Sequence, residues 1–167
     1  MVDLYYEALC NGCRQAIKTS FADAAKADGF FDMATINFYP FGNAKEKKTI
    51  FGKYEYTCQH GLDECQYNFI ESCALNLIDS PQQSFDFIDC IEDNDVDNQY
   101  EKTAKQCAKK AKIDVIDDIL ACFNGNDAIK FEHEMAQATA ALSPAHTYVP
   151  WVVAQGVHDD DTENAIL

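Results

Sequence analysis

Arginine is almost absent from this chain, and so is every run of residues that would anchor it in a membrane. Arg14 is the only arginine, and 13 Lys and Arg face 28 Asp and Glu, a formal net charge of −15. Such a surface repels phosphate backbones and anionic lipid, which argues against nucleic acid and membrane as partners. No apolar run approaches the ~18 residues of a membrane span. The sequence has no N-x-Ser/Thr sequon, no internal repeat and no low-complexity linker. Its start, Met1-Val2-Asp3, lacks a basic region followed by an apolar one. The expectation is therefore either a cytosolic protein or a mature domain whose signal has been removed. Proline is scarce too, with four in 167 residues, and two of them mark structural breaks at Ser80-Pro81 and Ser143-Pro144.

Cysteine is what the chain has in excess. Eight residues (10, 13, 58, 65, 73, 90, 107, 122) make an even set in a small acidic protein, the pattern of disulfides in an oxidising compartment. That favours the second alternative, a mature domain whose signal has been removed. With 47% hydrophobic and 12% aromatic residues the chain can build one sizeable core. We therefore expect a single domain over 1–167.

Cys10-Asn11-Gly12-Cys13 stands where an extended run meets a helical one. Val2 to Tyr6 reads as a buried strand, and Arg14 to Asp28 places Ala16, Ile17, Phe21, Ala24 and Ala25 on one helical face before Gly29. The strand thus delivers Cys10 to a helix N-terminus, where unpaired N–H groups and the dipole stabilise a thiolate. Zinc needs a second thiol or imidazole pair at similar spacing. Cys58, Cys65 and Cys73 are seven and eight apart and the four histidines are scattered, so no metal is expected. Two readings stay open: a redox dithiol, or a short inert staple in a disulfide-stapled secreted binding module.

Further along, Phe30 to Tyr39 reads as a second strand, broken by Pro40-Phe41-Gly42-Asn43. Helices are predicted over Glu64–Asp79, from Ser80-Pro81 to about Ile91, over Gln99–Ala111 and Asp114–Phe123, and from an Asn126 cap to about Leu142. Tyr148 to Val153 returns to strand character, and Pro150 at its entrance suits a cis peptide. The helical block, about 58–125, is thus inserted between extended elements. Asp93 to Asn98 imitates an EF-hand loop but puts Asn98 at the glycine position and Ala104 at the bidentate glutamate, so calcium is not expected. His158-Asp159-Asp160-Asp161 reads as a turn and helix cap. His60 and His146 are candidates for acid/base chemistry to which no role is assigned.

Three blocks in order, Leu4-Tyr5-Tyr6-Glu7-Ala8-Leu9-Cys10-x-x-Cys13, Cys58-Gln59-His60-Gly61-x-x-Glu64-Cys65-x-x-Asn68-x-x-x-x-Cys73 and Tyr148-Val149-Pro150-Trp151-Val152, resemble the gamma-interferon-inducible lysosomal thiol reductase family. The resemblance implies an α/β, thioredoxin-like fold with a disulfide-stapled helical insertion. It implies a thiol reductase that opens protein disulfides in acidic endosomes and lysosomes, with a small thiol as reductant and no cofactor. By the same resemblance Cys10 is the nucleophile, Cys13 the resolving thiol, Pro150 a cis-proline facing them, and Val149 a backbone contact for bound peptide. The missing sequon and the absence of a cysteine-containing tail depart from the family's pattern and leave the oligomeric state open.

Six cysteines remain for structural bridges. Cys65 and Cys73 are eight residues apart on one predicted helix, roughly 12 Å by rise, beyond the ~7 Å a disulfide spans. Cys73–Cys90 and Cys107–Cys122 flank predicted helix breaks and are the expected pairs, with Cys58–Cys65 left by elimination.

Overall fold

The computed structural model describes residues 1–94 and 96–167. Asp95, inside the EF-hand-like stretch 93–98, lies outside the described residues.

A small sheet sits at the centre. Strand β1 (Val2–Tyr6) pairs in parallel with β2 (Ile36–Pro40) and antiparallel with β5 (Trp151–Ala154), giving the order β2-β1-β5. In register, Leu4 faces Phe38 and Val152, while Tyr5 faces Tyr39 and Trp151. Because side chains alternate along a strand, Leu4, Tyr6, Phe38 and Val152 enter the main core, and Tyr5, Trp151 and Val153 form a second cluster.

From β1 the chain enters helix α1 (Asn11–Ala16), a π-helical segment (Ile17–Phe21) and α2 (Ala22–Ala25), close to the single predicted helix. Gly29, at φ 73°, then turns the chain. The second strand is shorter than expected, because 30–33 forms a helical turn, α3 (Phe30–Met33). Phe30 and Phe31 lie edge to face at 5.0 Å and both pack on the core. Two successive strand residues would point to opposite faces, so the helical turn buries more.

A hairpin, β3 (Lys45–Lys48) and β4 (Tyr54–Thr57), follows, with Ile50 and Phe51 exposed at its tip. Five helices come next: α4 (Leu62–Leu77), α5 (Pro81–Asn94), α6 (Tyr100–Ala111), α7 (Ile116–Phe123) and α8 (Asp127–Ala140). Ser80 caps α5 by accepting from Gln83 N–H at 3.4 Å. The last element, α9 (Asp160–Ile166), is capped by Asp159, which accepts from Thr162 N–H at 2.9 Å. The molecule is thus mixed α/β, mostly helical, with small sheets.

Three disulfides staple it: Cys58–Cys65, Cys73–Cys122 and Cys90–Cys107. The first is as expected. The pairs Cys73–Cys90 and Cys107–Cys122 are corrected, because α5, next in sequence to both α4 and α6, turns its cysteine face to α6 and leaves α4 to pair with α7. Helix α5 packs chiefly on α6, bringing Cys90 to Cys107, and α4 lies between α7 and α8, bringing Cys73 to Cys122.

Candidate active site

Beyond Tyr6, residues Glu7, Ala8 and Leu9 carry the chain from the sheet to the start of α1. Leu9 has φ 63°, and Cys10 is the extended residue that caps the helix. Its Sγ accepts the Cys13 N–H at 3.3 Å, and its carbonyl accepts Arg14 N–H at 2.9 Å. Both motif cysteines are free thiols, Cys10 half-buried and Cys13 fully buried.

That geometry splits the pair electrostatically. The hydrogen bond with Cys13 lowers the Cys10 pKa to about 6 against the opposing effect of burial, helped by the N–H groups of Cys13 and Gly12 and by the charge of His60. Burial pushes the Cys13 thiol far up, and the hydrogen bond and charge of Cys10 add to it. One sulfur is poised as thiolate and its neighbour holds its proton.

The Val149–Pro150 peptide is cis, as is Ser143–Pro144. A Cβ on Gly12 would lie 3.4 Å from Pro150 Cδ and 3.9 Å from the Val149 carbonyl oxygen, so the structure brings both residues against the turn between the two cysteines. Their segment is held by Glu163, which accepts from Tyr148 Oη at 2.5 Å and from Val152 N–H at 2.8 Å. His146 lies in the loop before Tyr148.

The second block of the sequence docks on the other side. The Cys58–Cys65 disulfide closes a loop carrying His60. Glu64 accepts from the backbone N–H groups of Gln59 at 3.2 Å and His60 at 2.6 Å, and lies 2.7 Å from His60 Nδ1. The same Nδ1 is 3.5 Å from Glu7 Oε1. Glu7 Oε2 accepts from Asn43 N–H at 2.6 Å, and Gly42, at φ 56°, is required because any Cβ there would collide with the Glu7 carboxylate. Asn68 completes the contact, its Oδ1 accepting from Ala8 N–H at 3.0 Å.

Glu7, buried at 1% exposure, has its pKa raised to about 7, first by burial and then by Glu64 and Cys10, against the stabilising Asn43 bond and His60 charge. Glu7, Glu64 and His60 are also the one group, among the described residues, whose three donor atoms lie within 4.8 Å of one another at metal-ligand spacing. Their oxygens already face backbone N–H groups and the imidazole, so the cluster is a hydrogen-bonded carboxylate–imidazole unit. Sequence reasoning gave Glu7, Glu64, Gly42 and Asn43 no role at the site. The four-residue spacing of His60 and Glu64 on either side of the α4 start was the available signal for one half of it.

The family model described as "Gamma interferon inducible lysosomal thiol reductase (GILT)" matches residues 1–111. A goldfish (Carassius auratus) protein named gamma-interferon-inducible lysosomal thiol reductase is 36% identical over 164 residues, covering 98% of this chain and 62% of the relative. The mouse (Mus musculus) protein of the same name is 36% identical over 154 residues, covering 91% and 59%. An Arabidopsis thaliana gamma-interferon-responsive lysosomal thiol protein is 33% identical over 162 residues, covering 96% and 64%. The chain thus spans about three fifths of the length of these relatives. It belongs to the gamma interferon inducible lysosomal thiol reductase family.

Proposed function

We propose that this protein is a thiol–disulfide oxidoreductase that reduces disulfides of proteins or peptides in an acidic lysosomal or endosomal compartment, or after secretion. The observation that carries the reading is the Cys10 sulfur accepting the Cys13 N–H at the helix start, with its pKa lowered to about 6. At pH 5 such a thiol is about one tenth thiolate, against roughly 0.03% for an unperturbed thiol of pKa ~8.5.

Cys10 thiolate attacks one sulfur of the substrate disulfide, forming a mixed disulfide and expelling the other as a thiolate that takes up a proton. Cys13 then gives up its proton and attacks Cys10 Sγ, releasing the second substrate thiol and leaving a Cys10–Cys13 disulfide. Two electrons have passed to the substrate. Two equivalents of a small thiol restore the dithiol, and no metal or cofactor takes part. Val149 and Pro150 stand against Gly12, where they can offer backbone to a bound peptide.

A parallel β1–β2 pair linked through the helix that Cys10 caps, with a cis-proline before β5, supports a thioredoxin-like unit. We read the chain as one such domain over 1–167, carrying a helical insertion at about 58–125. The test is trapping. Cys13→Ser should accumulate a mixed disulfide with a model protein substrate, and Cys10→Ser should accumulate none. Equal adducts on both would reverse or remove these roles, and slow, equal alkylation of both thiols would favour the inert staple.

A further inference from the structure

In a protein of net charge −15, a thiolate at Cys10 gains from a local cation beside its N–H donors. Glu7 faces the site from the loop after β1, Cys13 from α1, His60 from the 58–65 loop and Glu64 from the start of α4. Glu92, on α5, acts on Cys13 from behind, and the Arg14 Nε–H donates to the Glu92 carbonyl at 2.8 Å. The positive charge of His60 favours a Cys10 thiolate.

We propose that His60, gripped by Glu64 at 2.7 Å and Glu7 at 3.5 Å inside the Cys58–Cys65 loop, is a positioning residue that supplies the positive charge beside the Cys10 thiolate in acid. The Glu64 and Glu7 side chains fix the imidazole in place, at 2.7 and 3.5 Å from its Nδ1. Around Glu7 the pH response points the same way. Below about pH 7 its carboxyl binds a proton, so a negative charge near Cys10 disappears. That loss of negative charge favours the Cys10 anion as the solution becomes acidic. An ordinary thiol loses its thiolate tenfold per pH unit over that range. The disulfide matters because it closes the loop that carries His60 over Glu7 and Glu64.

The inference rests on the reading of Cys10 as nucleophile, but its test needs no substrate. Iodoacetamide alkylation of Cys10 is followed by peptide mapping from pH 4 to 9 in the reduced-site protein, for the native chain, His60→Gln and His60→Lys. With His60→Gln the rate at pH 5 should fall about threefold to tenfold while the rate at pH 9, where Cys10 is ionised in every variant, stays within about twofold. His60→Lys, which restores a cation, should recover most of the loss at pH 5. Superimposable curves for the native chain and His60→Gln would overturn the proposal. So would equal losses in the Gln and Lys variants, or a loss at pH 9 as large as that at pH 5, since each means that charge is not what His60 contributes. Failure of Cys10→Ser to abolish disulfide reduction would instead strike at the nucleophile assignment and leave the alkylation result standing.

Discussion

Cys10 and Cys13, at the junction of β1 and α1, are free thiols, whereas the six cysteines between 58 and 122 are paired in three disulfides. The same atom has opposite uses because its surroundings differ. At the helix start a sulfur meets N–H donors and partial exposure, which favour an anion. In the helical region sulfurs from different helices meet face to face in the core, with Cys73 and Cys107 at 0% exposure, where a bonded pair buries no charge. Cys58–Cys65 belongs to both regions. It is a staple by its chemistry, yet it closes the loop that holds His60 beside Glu7.

The largest effect expected from breaking this division is on turnover. Cys10→Ser should reduce disulfide reduction by at least about a hundredfold, to background, without a large change in stability, since Cys10 is half-buried, in no disulfide, and serine can keep the cap. Retained turnover in that variant would move the nucleophile elsewhere.

The staples should separate by loop length. Removing Cys73–Cys122, Cys90–Cys107 or Cys58–Cys65 as paired Cys→Ala changes opens loops of 49, 17 and 7 residues, costing about 4, 3 and 2 kcal/mol by chain entropy. Urea midpoints would rank them. Cys10 alkylation at pH 5 should rank them the other way: unchanged for the first two, slower for Cys58→Ala with Cys65→Ala. If all three variants slow Cys10 alike, the loop at 58–65 has no special tie to the site.

How far these regions could be read in advance also differs. Cys10, Cys13 and the strand–helix junction were legible because thiol chemistry and helix capping act over a few residues. The helices were legible from their apolar spacing, to within a few residues at each end. The disulfide partners of Cys73 and Cys90 were not, because pairing depends on which helices pack, and α4 turns away from α5 toward α7 and α8. Phe30 to Met33 read as strand because alternation looked continuous, and packing of two neighbouring phenylalanines overrode it. Glu7 and Glu64 were missed for a related reason. They lie 57 positions apart, and their shared partner, His60, becomes visible only when the loop folds back on the sheet.

A smaller effect compares buried carboxylates in the two regions. Glu7 at the site has its pKa raised to about 7, and Glu132 in α8, hydrogen-bonded to Ser72 at 2.7 Å, has its own pushed well above the carboxylate range, in each case chiefly by burial. A carboxyl raised in this way binds its proton more tightly folded than unfolded. Its contribution to stability is therefore full below the unfolded value of about 4.5 and is lost as pH rises through the folded one, which for Glu7 is about 7. Asp93, paired with Lys18 at the surface, and Asp159, hydrogen-bonded to Thr162 as the α9 cap, are lowered and act in the opposite direction, but both are exposed and their effect is small. The fold should thus be more stable at pH 5 than at pH 7.5, with Glu7 contributing on the order of 1–3 kcal/mol. Glu132→Gln should narrow the gap between urea midpoints at the two pH values and leave Cys10 alkylation unchanged. Glu7→Gln should narrow the same gap and also shift the pH profile of Cys10, because only Glu7 shares the field of that sulfur. A midpoint that is flat or rises from pH 5 to 7.5 in the native chain would mean that neither carboxyl holds its proton in the fold.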